Sequence, residues 1–341
     1  MTMRVPAVLF NSAAEVIGAE YAGAWAQALD FMLIELLDRW KLTRDPVPGS
    51  PWAGAESLVI PVLTQENYQA IIRFAAPNTA NPQVHRQVLE ALQAWQGHGA
   101  VRVFEQDSSF RATLQERLRT TVNLSTEPLG SVPPIWGQLV RALKVPGVPG
   151  FVRVQDIAAK WLETFQADCA LVRDFPEFSA QDYQVLDSAR MWMEKLASSD
   201  EHWLLHADLH YYNILAGHPD LSGVATWKAI DPQPLTGPTA YMVAPVLWNR
   251  LYEIPRPTGE EQAQWLREFA HRLCHHAEIE AAYGMGATVV RELENMFWYL
   301  RSAYKGTQKA FGDAARSLWV CRAMCGVSVG GVSAHDLKRL G

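Results

Sequence analysis

Apolar residues recur at helical spacing near the N-terminus. Phe31, Leu33, Ile34, Leu37 and Trp40 carry the pattern, and residues 11–43 predict one or two amphipathic helices. The run Asp45-Pro-Val-Pro-Gly-Ser-Pro51 ends it. Two short apolar runs follow, Ser57–Leu63 and Gln69–Ala75. With polar residues 65–67 between them they predict a β-hairpin. Asn81 as N-cap and Pro82 at the first helical position open a helix that ends near Gly97. Residues 100–105 and 113–118 predict two more strands. Residues 126–151 hold Pro128, Pro133, Pro134, Pro146 and Pro149 and predict an irregular connector. Beyond it, helices are expected at 152–173 and 179–198, then a strand, loop and strand, then helices at 259–281, 285–304 and 307–325. The expected class is α+β: a small mixed region over 1–118, then a larger, mostly helical region over 119–341.

Composition adds limits. A chain of 341 residues, 49% hydrophobic and 19% charged, suits an ordinary globular protein with a large core. The net charge of −6 and the lack of a basic face argue against nucleic acid as a partner. No segment approaches the roughly 18 apolar residues of a membrane helix, and the N-terminus is too short in apolar residues for a signal peptide. The expectation is a cytoplasmic protein without a membrane partner. Four cysteines do not make a disulfide framework, and Cys321 and Cys325 read as small core residues.

Candidate chemistry concentrates in His202-Trp-Leu-Leu-His206-Ala-Asp208-Leu-His210-Tyr-Tyr-Asn213 and in Ala229-Ile230-Asp231-Pro232. An acid and an amide five residues apart follow one apolar run, and a second acid ends another. Phosphoryl transfer from a nucleotide needs this inventory: one carboxylate to take the acceptor's hydroxyl proton, and an amide with a second carboxylate to hold magnesium. Asp208 is the candidate base, with Asn213 and Asp231 the candidate Mg2+ ligands. A different reading takes His202, His206, Asp208 and His210 as a zinc cluster, although their spacing is not that of a metal hydrolase.

The spacing His206-x-Asp208-x-x-x-x-Asn213 resembles the catalytic loop of the kinase superfamily, and Leu-Leu-His-x-Asp-Leu-His is closer to its antibiotic phosphotransferase branch. The segments Gly237-x-x-Ala240-Tyr241, 244–249 and 94–103 resemble the aminoglycoside/hydroxyurea resistance kinases, the streptomycin 6-kinase-like family. The resemblance covers roughly residues 55–250. It implies a bilobal protein-kinase-like fold, with an antiparallel sheet in a small N-lobe and a helical C-lobe. It also implies an ATP-dependent kinase acting on a hydroxyl of a small molecule, an aminoglycoside-like antibiotic or a metabolite.

By the same resemblance His206 braces the catalytic loop. Arg73 stands where the family's phosphate-gripping lysine is expected, with Glu90 as its possible helix partner. Ser57 lies where the loop over the phosphates is expected, and Glu116 and Leu118 where a hinge meets adenine. Arginine for lysine changes the geometry of the grip. Either Arg73 binds phosphate itself, or the grip is degraded and the protein is a pseudokinase serving as a nucleotide-binding or interaction module. Residues 233–242 also depart from the family pattern on the acceptor side. Glu292, Glu294, Trp298, Tyr299 and Tyr304 are an acidic and aromatic set that could face a polycationic sugar, or ordinary amphipathic packing. The acceptor's identity and the oligomeric state are not encoded legibly.

Overall fold

Helices α1 (Ala7–Ile17) and α2 (Ala19–Arg39) open the chain. The buried stripe of α2 is Trp25, Leu29, Leu33 and Leu36, spaced four, four and three apart. Phe31 and Ile34, expected in that stripe, are instead 60% and 64% exposed. They lie off the line through Leu29, Leu33 and Leu36, and the Phe31 ring meets Phe110 edge-on at 6.3 Å. The computed structural model describes residues 5–54, 56–78, 83–219 and 225–339. It divides into two units, Met1–Thr120 with Gly217–Thr226, and Thr121–Ala216 with Trp227–Gly341.

In the first unit come β1 (Thr43–Arg44), β2 (Trp52–Ala53), β3 (Ser57–Leu63), β4 (Gln69–Ala75), α3 (Val84–Trp95), β5 (Val103–Asp107) and β6 (Ala112–Glu116). They build an antiparallel sheet in the order β1-β3-β4-β6-β5, with β2 paired to β3. The hairpin of β3 and β4 has the bounds expected from its apolar runs. In it Leu58, Ile60 and Val62 lie opposite Phe74, Ile72 and Ala70. These residues pack with the α2 stripe into one core. Arg73, opposite Val59 and Thr113, belongs to the alternate set of the pleat. The expected cap at Asn81 and Pro82 lies outside the described residues.

Next along the chain come β7 (Arg119–Asn123), α4 (Val132–Ala142), α5 (Val154–Asp168), α6 (Tyr183–Ala197), β8 (Trp203–Leu205), β9 (Ile214–Pro219), β10 (Ala225–Ala229), β11 (Leu235–Gly237), α7 (Ala244–Leu247), α8 (Gly259–Ala277), α9 (Ala281–Tyr304) and α10 (Ala310–Cys325). The expected irregular connector therefore contains a three-turn helix, α4. Pro133 and Pro134 sit in its first turn, where backbone N–H groups have no helical partner to lose. In the second unit α4 packs on α8, α5 on α6, and α9 on both α6 and α10. A buried ion pair pins α10: Arg322 donates Nε to Asp182 Oδ1 at 2.6 Å and Nη2 to Oδ2 at 2.7 Å. Asp182 also accepts from the Ser179 N–H and hydroxyl, closing the turn before α6.

The segment that carries His206, Asp208 and Asn213 follows one of two short paired strands. β8 and β11 pair antiparallel, Leu205 opposite Leu235 and Trp203 opposite Gly237. Just beyond β8, His206 is fully buried and its Nε2 lies 2.8 Å from the Ile230 carbonyl. Burial pushes its pKa down to about 4, so the ring is neutral and Nε2–H donates to that carbonyl. The His206 carbonyl in turn accepts the N–H groups of Asp208 (2.7 Å) and Gln233 (3.0 Å).

Two stability predictions follow from this packing. A Cβ on Gly137 of α4 would lie 2.4 Å from the backbone carbon of His276, whereas one on Gly23 of α2 meets nothing within 4 Å. Gly137→Ala should cost roughly 1–3 kcal/mol in urea unfolding, and Gly23→Ala should gain roughly 0.5–1 kcal/mol through lower chain entropy. Equal effects at the two sites would contradict the close approach. The second concerns pH. An unfolded histidine titrates near 6.5 and the folded His206 near 4. The unfolded chain therefore binds more protons between those values, and stability present above pH 6.5 is lost as pH falls toward 4. Going from pH 7.5 to 5 should cost about 2 kcal/mol through this residue. The fall should be smaller by that amount in His206→Gln; parallel pH profiles for the two proteins would refute the assignment.

Candidate active site

Asp208 occupies a loop set by unusual backbone. Ala207 has φ 53° and Asp231 φ 50°. The left-handed region costs an ordinary L-residue roughly 1–2 kcal/mol, which the hydrogen bonds of His206 on both sides offset. Such strain held in place by surrounding structure is common at active sites.

Asn213 lies beside the loop it helps fix. Its Nδ2 donates to the Asp208 carbonyl at 2.9 Å and to Asp208 Oδ2 at 3.3 Å. Its own carbonyl accepts the Ile230 N–H at 2.9 Å, next to Asp231. With the amide nitrogen committed to Asp208, Oδ1 is left as a hard oxygen donor, and the exposed Asp231 carboxylate supplies a second. Both donor types suit magnesium. His206, Asp208 and Asn213 are thus held together by short, direct contacts, and Asp231 follows Ile230, whose N–H and carbonyl are both bonded to that group. Among the described residues no three His, Cys, Asp or Glu side chains are arranged to hold a metal, so the zinc cluster finds no support.

His210 works on the same loop. Its Nδ1 accepts the Tyr212 N–H at 3.2 Å, and its Nε2 stands 3.7 Å from Asp208 Oδ2. Burial pushes the Asp208 carboxyl above the usual carboxylate range, while His210, Arg291 and the Asn213 amide pull it back. Burial lowers the His210 pKa, opposed by Asp208 and Asp231. Arg291 of α9 is a neighbour that sequence patterns missed. Its guanidinium lies 4.4 Å from the Tyr241 ring centre and 5.1 Å from that of Trp248, and it donates to the Tyr241 carbonyl at 2.9 Å. Only the aromatic residues of 241–248 hinted at a cation there, and they do not name which.

The nucleotide-side candidates lie in the other unit. Arg73 lines a small cavity with Glu56, His85 and Arg111. Burial, then the charges of Arg111 and Arg73, push His85 down to about 4. Glu90 pairs with Arg86 on its own helix at 3.7 Å, and the α3 residues that line the cavity with Arg73 are Val84, His85 and Val88. Ser57 is buried at the start of β3, and Leu118 is buried just after β6. The Glu116 carboxylate accepts the Arg102 N–H at 2.7 Å, tying β6 to the chain before β5.

The acidic and aromatic set on α9 does not form one face. Glu292 is buried and bonded by Asn295 at 2.7 Å. Burial and the nearby Asp168 push Glu294 up to about 7. Trp298 is exposed, Tyr299 lies 3.4 Å from Arg316, and the Tyr304 hydroxyl donates to the Leu171 carbonyl. Ordinary packing accounts for most of it. No described helix is long and apolar enough to cross a membrane.

The chain is similar to known proteins over most of its length. A family model described as aminoglycoside/hydroxyurea antibiotic resistance kinase matches residues 39–301. A streptomycin 6-kinase of Streptomyces glaucescens is 29% identical over 93% of this chain and 97% of its own length. Another, from Streptomyces griseus, is 30% identical over 82% of this chain and 86% of its own. Among solved structures, a choline/ethanolamine kinase family protein of Mesorhizobium loti superposes with a TM-score of 0.53 at 13% identity, over 89% of this chain and 97% of that one, which shows a kinase-like fold. The chain belongs to the aminoglycoside/hydroxyurea antibiotic resistance kinase family and is a small-molecule phosphotransferase.

Proposed function

We propose that the protein transfers the γ-phosphate of ATP to a hydroxyl of a small molecule, with Asp208 as the base. The observation that carries this reading is the amide of Asn213 fastened to both the backbone and the carboxylate of Asp208. It fixes the carboxylate and leaves the amide oxygen of Asn213 as a hard donor. Asp208 orients the acceptor hydroxyl and takes its proton; the hydroxyl oxygen bonds to the γ-phosphorus, the bridging P–O bond breaks, and ADP leaves. Asn213 and Asp231 would hold Mg2+, which supplies charge neutralisation on the phosphates. Arg73 would steady the phosphates, with Arg111 close enough to share the role: burial and then the Arg73 charge push the Arg111 guanidinium down, and a bound polyanion would relieve that repulsion. Positioning and electrostatics supply most of the acceleration.

The pseudokinase reading keeps one observation in its favour, the pairing of Glu90 with Arg86 on its own helix. Nucleotide titration separates the two. ATP should bind far more tightly with Mg2+ than without it, and Asp231→Ala should lose most of that difference. Binding indifferent to magnesium, or none at all, would favour the pseudokinase. For turnover, streptomycin and hydroxyurea are the first acceptors to try, because the relatives carry those names. With any acceptor that is turned over, Asp208→Asn should lower kcat by about 100-fold to 10,000-fold while the affinity for MgATP stays within a few-fold. A loss confined to nucleotide affinity would remove Asp208 from the role of base.

A further inference from the structure

A cavity of about 90 Å3 lies at the end of β4, wholly within the first unit. Ser12 of α1, His85 of α3, Glu56, Arg73 and Arg111 are its polar and charged walls, with Asn78 at the edge. Pockets for drug-sized molecules are several times larger, roughly 300 Å3 and above. The space here suits a single tetrahedral oxyanion.

Three polar atoms at this cavity are shut off from solvent and make no hydrogen bond: both ring nitrogens of His85 and Nε of Arg111. Orphaned buried groups are rare in folded proteins, and a bound ion is one of the few reasons for them. Arg111 is fixed here without being neutralised. Its Nη2 donates to the Ala76 carbonyl at 3.1 Å, and its own carbonyl accepts the Ala75 N–H at 3.0 Å. Acids close by are committed elsewhere, Asp107 to Arg39 and Glu90 to Arg86. Glu56 is the one carboxylate in the lining, and it is exposed. The charges that act on His85 are the guanidiniums of Arg111 and Arg73, and α1 brings only Ser12, Ala13 and Val16 to the cavity. Burial and then those two cations keep the imidazole neutral, with its pKa down to about 4. An oxyanion would reverse that balance. It would accept from the guanidinium and from the ring, and its charge would favour a proton on the second ring nitrogen.

We propose that this cavity holds one phosphoryl group between Arg111 and His85, and that His85 takes up a proton from solvent as the group enters. The neutral ring offers one N–H donor and the protonated ring two, so both orphaned nitrogens then have a use. That the phosphoryl group belongs to the nucleotide rests on the phosphotransfer reading above; the site for a tetrahedral dianion does not. The sign of the linkage follows. A proton bound with the anion makes binding tighter as pH falls, down to the pKa of the free ring near 4.

The test is calorimetric titration of the full chain with sulfate at pH 7.5 and 5.5, since sulfate stays a dianion at both. Wild type, His85→Gln and Arg111→Gln are compared, with folding checked by circular dichroism, and MgATP is titrated with and without sulfate. Sulfate should bind the wild type roughly tenfold or more tightly at the lower pH. His85→Gln should lose that pH dependence, and Arg111→Gln should weaken binding at both values. In the wild type, the histidine NMR signal that is missing from His85→Gln should move to its protonated position as sulfate is added. The proposal is overturned if sulfate binds at neither pH, if His85→Gln keeps the wild-type pH dependence, or if Arg111→Gln binds as well as the wild type. Sulfate that competes with MgATP assigns the group to the nucleotide. Sulfate that binds with the expected linkage but ignores MgATP, or binds in a protein that takes no MgATP, leaves a site for free phosphate and removes the nucleotide from it.

Discussion

A single buried hydrogen bond, from His206 Nε2 to the carbonyl of Ile230, sets the geometry on which the rest of the site depends. It joins the end of β8 to the residue before Asp231 across a long excursion of chain. The pairing of β8 with β11 closes the same excursion from outside, and the Gln233 N–H on the His206 carbonyl closes it from within. The two left-handed residues, Ala207 and Asp231, are the points where the backbone must turn to satisfy all three constraints. Neither conformation is favourable alone, and each persists because its neighbours are over-determined. The imidazole suits this task because, buried and neutral, it offers one directed donor without bringing a charge into the interior.

Around that loop, cations act as fasteners. Arg250 is buried, takes the Glu253 carboxylate in its fork, donates to the Glu127 carbonyl at 2.9 Å, and lies 4.9 Å from the ring centre of Tyr211 in the catalytic segment. Arg322 and Asp182 do the same between α10 and the turn before α6. A buried pair is weak evidence for stability as such, because desolvation opposes the attraction, but removing one partner strands the other. These pairs fix the places where helices meet.

The sequence is most legible where local rules and tertiary demands agree. The hairpin of β3 and β4 is one case, since alternating apolar residues in it needed only one covered face, and α2 supplies it. The contacts among His206, Asp208 and Asn213 are another, because the three residues bond to one another within eight residues of chain. Legibility fails where the deciding partner is remote. The prolines of α4 looked like breakers because their place in the first turn was not evident. Phe31 and Ile34 looked buried because the helical stripe can be drawn along two neighbouring lines, and only the sheet chooses between them. Arg291 follows Asp208 by most of a helical region, and nothing in its local spacing points to the loop it approaches.

The electrostatics of Asp208 connect the loop to its surroundings. Burial alone would drive the carboxyl toward the neutral form, which cannot accept a proton. The Asn213 amide, Arg291 and His210 oppose that drive, and Asp231 reinforces it. Under the proposed function, a divalent cation bound at Asp231 would offset the one acidic neighbour and favour the ionised Asp208 carboxylate, so nucleotide loading and activation of the proposed base would be coupled. Arg291 already acts in that direction from α9, so a cation most of a helical region away along the chain bears on the ionisation of Asp208.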